Sequence, residues 1–429
     1  MSGTLTTGKL VLTNTTSNQD AFDRLRISTP DTLFELSHTI GKNHYIVDEL
    51  LVGAGATSLY QSAESYVRME LGMGITGKVV RQTYEYIPYQ PGKSKLMLFT
   101  GILETHGGIT GIKSRIGCFD GADEKTFAPG TGNGCFFELD NKTLYTVIRL
   151  NNVDDRVQQS DWNFDKFDGN GPSGLTLTHS NFANALIFGI DQEWLGVGRV
   201  RFGFFINGTF HLGHSYNHSG IPSGNPIQAP YTKTAKLPIR YELNGMDTAP
   251  GTTADMTMIC STVLSEGGFD PIGLIFSQGI TTGISFSTDE TKPLLAIKIR
   301  EEEPYNRKTL VLKSLSIYNE TTNGLQWDLY LLNNDSSIIG GTWNNYDLNG
   351  SIAQINTSCT GINLTNAALV DSGYADLTSS SAFNFTRYLM SPLVNSNMAG
   401  RSRVLCLAGK RLGTKTPISY GALTWVEIV

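Results

Sequence analysis

Three short stretches hold residue types that do chemistry. HLGHSYNH brings His211, His214 and His218 close together. Imidazoles at such short range ligate zinc when further donors complete a tetrahedron. The run follows a strand-like segment, however, where spacings of three and seven do not bring side chains to one face. No HExxH string and no neighbouring Cys or Asp completes the set. DWNFDKFDG places Asp161, Asn163, Asp165 and Asp168 at near-alternate positions, like the opening of a calcium loop. Its glycine falls three positions late, and Pro172 stands where the closing bidentate Glu belongs. The better reading is a loop whose Asx side chains cap their own backbone over Trp162, Phe164 and Phe167. Asp161, Asn163, Asp165, His211 and His214 are thus weak metal candidates, and no metal or cofactor is expected. The third stretch, AFDRLRISTPDTLF (Ala21 to Phe34), collects Asp23, Arg24 and Arg26. Either it is a small charged site, or it is how one chain grips another.

Other signatures fail on context. GMGITG (Gly72 to Gly77) fits GxGxxG, but KVVRQTYEYIPY follows it and reads as strand. A dinucleotide site needs a helix there, so that the phosphate meets a helix N-terminus. A glycine-rich turn is the plainer account. There is no GxSxG elbow, and no Cys-His pair stands out. Glu301, Glu302 and Glu303 precede Pro304 and read as a solvated turn. A carboxylate pair able to cleave a sugar linkage stays open, because such residues meet only in the fold.

The elements that must position these residues are almost all strands. Hydrophobic residues make up 40% of the 429-residue chain, and charged residues only 17%. The polar content is Asn, Thr, Ser and 46 glycines, which suits short strands and tight turns. A net charge of -6 argues against a nucleic-acid footprint over the whole chain. Five scattered cysteines without a CxxC do not read as a disulfide framework. No run approaches the roughly 20 apolar residues of a membrane helix, so membrane insertion is not expected.

KLMLFTGIL (Lys95 to Leu103) and LYTVIRL (Leu144 to Leu150) read as strands. In GRVRFGFFINGTFHLGH, Asn207-Gly208 predicts a type I′ hairpin turn. Asn323-Gly324 predicts a second hairpin between TLVLKSLSIYN and LQWDLYLLN. The one helix candidate is short, near Ser62 to Leu71. The chain therefore reads as all-β: an extended N-terminal arm over 1–30, then antiparallel β-sandwich or jelly-roll-like domains. One domain is expected over 31–290 and a C-terminal β-rich domain over 291–429.

The AFDRLRIS stretch resembles a motif of uncharacterised virion structural proteins from marine tailed phages and some large algal DNA viruses. Their pattern is close to A-F-G-R-L-R-V-S, then T-L-F. The match here is Ala21, Phe22, Arg24, Leu25, Arg26, Ser28, Thr32, Leu33 and Phe34, with Asp23 where glycine is usual. YQPGKS, SRIGCFD, WLGVGRVRFGF and LPIRYEL also look familiar, so the likeness covers roughly residues 20 to 245. It implies a particle component assembled in the host cytoplasm, with copies of itself and other virion proteins as partners. It carries no activity. The expected function is thus a non-enzymatic tail, fibre, baseplate or capsid subunit. The alternatives are a glycan-binding receptor module that meets a host surface glycan, or a polysaccharide-degrading tail enzyme. In an extended segment Phe22, Arg24 and Arg26 share a face. They form either a clamp between subunits or an intramolecular strand paired with the chain's own carboxylates.

Overall fold

The computed structural model describes residues 30–105, 108–121, 132–219, 229–270, 273–320, 324–347, 350–375 and 393–428, and the backbone alone at 3–6, 9–12 and 380–384. Phe22, Arg24 and Arg26 lie outside the described residues. Of the expected arm, Gly3–Thr6 and Lys9–Leu12 pair as an antiparallel hairpin. No α-helix occurs among the described residues. None of their helices is long and apolar enough to cross a membrane.

Two compact units emerge. The first holds most of the chain up to Asp270 and the second holds Pro271–Val429. The second unit therefore begins before residue 290. Leu274–Gly279 and Ile284–Ser285 already pair with the closing strand Ile418–Ile428.

The first unit is an antiparallel sandwich. Its seven-stranded sheet runs Val153–Gln158, Thr143–Leu150, Gly134–Asp140, Lys113–Phe119, Ile239–Gly245, Gly77–Thr83, Val47–Val52. The facing sheet has eight strands. They run Thr209–Asn217, Arg199–Ile206, Leu186–Gln192, Ser94–Ile102, Ala254–Glu266, Tyr66–Leu71, Ala56–Gln61, and Asp31–Ser37 also pairs with Ala254–Glu266. Alternate residues of both sheets, among them Val79, Ile116, Phe137, Phe99, Met258 and Val263, fill one core.

Sequence expectations meet this frame unevenly. The Asn207-Gly208 hairpin forms, with φ of 51° and 77° and Ile206 opposite Thr209. Gly72–Gly77 is a turn into a strand. The helix candidate near Ser62 to Leu71 is instead a strand, Tyr66–Leu71. Val67, Met69 and Leu71 alternate into the core, and pairing on both sides satisfies the backbone.

The second unit is another antiparallel sandwich. Thr309–Asn319 and Ile418–Ile428 lie in one sheet, Lys292–Ile299, Val404–Arg411 and Leu325–Leu332 in the other. Trp327 and Trp425 are fully buried between them. The expected hairpin at Asn323-Gly324 does not exist, because the strands on either side belong to different sheets. Asn323 itself lies outside the described residues. Two apolar runs joined by Asn-Gly look alike whether the chain folds back in one sheet or crosses the core to the other.

Candidate functional site: an open groove and a closed charge lattice

An open groove of about 670 Å³ lies on the outer face of the eight-stranded sheet of the first unit. Two cross-strand rows form its floor. Ile187, Thr100, Cys260 and Ser37 stand side by side in one. Leu98, Thr262 and Glu35 stand in the other. A β-bulge creates the first row. Ile259 is the extra residue in its strand, so Met258 points into the core while Cys260 points out. Without the bulge, residues two apart would share a face. The freed Ile259 carbonyl meets His38 Nδ1 at 2.8 Å. Burial, with the Arg81 charge adding to it, holds the His38 imidazole below its ordinary range.

Residues 38–46 wall the groove and are anchored from below. Arg81 is buried and donates to the Lys42 carbonyl at 2.6 Å and to Glu49 at 2.6 Å. Lys42 Nζ reaches Glu49 at 2.8 Å and the Ser58 carbonyl at 2.9 Å. Burial alone would raise the Glu49 carboxyl; hydrogen bonds from Lys42 and Ser58, with both cations, bring it below the usual carboxylate range. Asn43 turns the wall with φ of 55° and donates to the Ser37 carbonyl at 2.6 Å. Asn is among the few residues that tolerate this left-handed conformation. The wall thus presents Ile40 and Ile46 on a fixed backbone. Neither the groove nor its anchors were visible as a motif, because they gather strands from residue 31 to residue 262.

The outward face of the seven-stranded sheet is the opposite case. Arg115 lies between two glutamates across the strands, donating to Glu138 at 2.6 Å and to Glu242 at 2.5 Å. Arg240 bonds Glu242 and Gln82, and Arg156 bonds Glu138. The Arg149 guanidinium lies 4.8 Å from the Phe136 ring centre and that of Arg240 lies 5.3 Å from Phe119. Glu138, Glu242 and Arg240 are all at most 2% exposed. Burial would raise the Glu242 carboxyl, but Arg240 and Arg115 overcome it and hold the group well below the usual range. This is where two glutamates converge, and it is poorly suited to acid catalysis. A general acid needs its pKa raised toward the working pH; here each carboxylate is tied to arginines.

Of the metal candidates, Asn163 and His214 meet, while Asp161 and Asp165 bond to groups of their own loop. A bulge leaves Gly213 unpaired, with Phe202 opposite His214 and Phe204 opposite His211. Phe202 and Phe204 share a face, so the bulge puts His211 and His214 on one face despite their spacing. The Gly213 carbonyl accepts from Phe164 N at 3.1 Å and Asp165 N at 3.0 Å. A Cβ on Gly213 would sit 2.6 Å from the Trp162 ring. Asn163 N donates to His214 Nδ1 at 3.3 Å, and the Asn163 amide brackets Ser215. Asp165 accepts from Phe167 N and Ser173 N, Asp161 from Gln158, and Asp168 from Asn170 N. The loop is therefore self-capping and docks on the bulge. No group of three or more His, Cys, Asp or Glu that could hold a metal occurs among the described residues. EDTA should leave the melting temperature unchanged; a fall of several degrees reversed by calcium or zinc would make one of these sites real.

His214 gives a pH prediction. Burial pushes its imidazole down to about 4, and burial also lowers His218. An unfolded imidazole titrates near 6.5, so the unfolded chain takes up the proton first. The stabilisation is complete above about pH 6.5 and is lost as pH falls toward 4, on the order of 1–3 kcal/mol for His214. Melting at pH 7 and pH 4.5 should show this loss, and His214→Gln should reduce it. An identical pH profile in the variant would assign the loss to other groups.

No family model and no curated protein matches the chain. Among solved structures, a Bacillus licheniformis beta-glucanase aligns with 12% identity and a TM-score of 0.33, covering 56% of this chain and 100% of its own. The Emp47p carbohydrate recognition domain aligns with 11% identity and a TM-score of 0.33, covering 56% and 98%. The alginate lyase vAL-1 from Chlorella virus aligns with 9% identity and a TM-score of 0.32, covering 51% and 92%. Likenesses this slight do not bear on what the chain binds or does.

Proposed function

We propose that the chain is a non-enzymatic structural subunit of a virus particle, of its tail, fibre or baseplate or of its capsid, acting through protein–protein contacts. The supporting observation is how the first unit uses its side chains. Its densest charges neutralise one another in a buried lattice. Beside its open groove, Ile40 is 89% and Tyr45 61% exposed. Apolar side chains left on the surface next to a cavity are the usual mark of an interaction site. The AFDRLRIS resemblance supports the particle context. Mass spectrometry of purified particles tests the reading: the protein should be present, and its absence would overturn the proposal. Copy number then separates an abundant shell protein from a scarce tail or fibre protein.

One observation favours a second reading, a glycan-binding receptor module. Ser37, Thr39, Asn43, Thr100 and Thr262 put hydroxyls and an amide around the groove. A glycan array on the full chain decides this: binding lost in an Asn43→Ala variant would support the receptor over the assembly reading. A capsule-clearing assay separates both from a polysaccharide-degrading enzyme.

A further inference from the structure

We infer that the groove on the eight-stranded sheet receives the Ala21–Ser28 segment of a second copy of this chain. The inference rests on the assembly reading above and adds the receptor surface that the reading lacks.

Three observations argue for it. The first is an open edge. Among the described residues Asp31–Ser37 pairs only with Ala254–Glu266, so its other backbone edge can take a strand. The second is complementarity. The groove is lined by aliphatic side chains, Ile40, Ile46, Leu98 and Ile187, with one carboxylate, Glu35, and no cation. None of the described residues pairs with that carboxylate. Along an extended Ala21–Ser28, the face of Phe22, Arg24 and Arg26 offers an aromatic for the aliphatic wall and guanidinium groups for Glu35. The arginine stems can lie along the remaining apolar floor.

The third observation separates a second copy from the chain's own segment. Only Thr29 and Pro30 stand between Ser28 and the start of Asp31–Ser37. Folding Ala21–Ser28 back onto that edge would require a two-residue hairpin turn there. Such turns need positive φ at one or both central residues. Proline is fixed near −65°, and it biases the residue before it toward extended backbone. Thr-Pro therefore cannot close a two-residue hairpin, and the chain's own segment reaches that edge only through a longer loop that takes up Ile27 and Ser28, whereas a segment from another copy keeps its full length for pairing.

The groove carries its own reporter. Cys260 is an exposed free thiol in the floor, while Cys118, Cys135, Cys359 and Cys406 are buried. Single cysteines at positions 21 to 28 of the full chain, treated with a bismaleimide whose span of roughly 10 Å matches two strand spacings, should form covalent dimers. Yield should be greatest at the one or two of positions 22, 24, 26 and 28 nearest Cys260, and several-fold lower at 21, 23, 25 and 27, which face away. Cys260→Ser should abolish it. A link to Cys260 within one chain, identified by mass after proteolysis, would overturn the second-copy assignment. No link at any position, in protein that still enters particles, would overturn the groove and leave the structural function standing. Persistent dimer links in a protein absent from particles would do the reverse. A charge swap gives an independent arm that avoids cysteine. Glu35→Arg and Arg24→Glu/Arg26→Glu should each lose self-association, measured by sedimentation. Mixing the two should restore association between chains. Failure to restore, with each variant folded, counts against the Glu35 contact and the proposal.

Discussion

Replacing Arg115 with leucine should cost the first unit about 3 kcal/mol at neutral pH and make it melt well below the parent chain. Arg115 is the member of the charge lattice that touches both glutamates, through Nε to Glu138 and through a terminal nitrogen to Glu242. Breaking a buried pair from one side costs roughly 3–5 kcal/mol, because the remaining charge has lost its water and its partner. Here each glutamate keeps at least one other cation, Arg156 for Glu138, and Arg240 with the Lys78 charge for Glu242. That places the expected loss near the lower end. Lysine should not rescue, since one ammonium cannot offer the guanidinium fork to two carboxylates on opposite sides. The pH dependence identifies the cause. Without Arg115 the Glu242 carboxyl loses one of the cations that hold it low, so acid protonates it more readily and relieves part of the penalty. A carboxyl whose pKa rises tenfold in proton affinity carries about 1.4 kcal/mol, so the deficit of the variant should shrink by roughly 1 kcal/mol or more between pH 7 and pH 4. A deficit constant over that range would mean that lost packing, not a stranded charge, is responsible.

The lattice also shows where reading the chain stops. SRIGCF, CFFELD and IRYEL each look like a strand with one or two stray charges. Charges inside otherwise apolar strands are a usable signal that partners must exist. Which charge meets which depends on the register of three strands from distant parts of the chain. The hairpin at Asn207-Gly208 was legible because positive φ is a demand on two adjacent residues, met locally. The bulges at Gly213 and Ile259 were not, because an extra residue exists only relative to a partner strand. Both bulges reverse the inward-outward phase where it matters most: one joins the histidines to the Asx loop, the other turns Cys260 into the groove. The Tyr66–Leu71 strand is hard to read for a related reason. Its alternation is only six residues long, and its pairing partners supply the rest of the signal. The self-capping of Asp165 and Asp168 was legible, since Asx side chains bond backbone groups a few residues away.

The largest loss in the second unit should come from Trp425→Ala, about 3–5 kcal/mol from the missing ring alone. Trp425 is fully buried in the closing strand, with the Tyr346 ring 5.0 Å away edge-on and the Phe276 ring at 6.1 Å. The indole also does something a hydrocarbon cannot. Its Nε1 donates to Glu427 Oε1 at 3.0 Å. Glu427 is 1% exposed and also accepts from Ser351 Oγ at 2.6 Å and Ile352 N at 2.8 Å. That carboxylate ties the closing strand to the segment leading into Ala353–Asn356. Trp425→Phe separates the two roles. It keeps most of the aromatic packing and removes one of the three donors. A hydrogen bond to a charged group contributes about 1.5–3 kcal/mol, so the phenylalanine variant should lie between the parent and the alanine variant. Because this core is distinct from that of the first unit, the damage should be local. Hydrogen exchange should quicken in Thr309–Asn319 and Ile418–Ile428 and stay unchanged in Ser94–Ile102 under the groove. Equal loss of protection in Ser94–Ile102 would show that the two cores do not melt separately. Equal stability of the alanine and phenylalanine variants would show that the Glu427 hydrogen bond, rather than the volume of the ring, sets the cost.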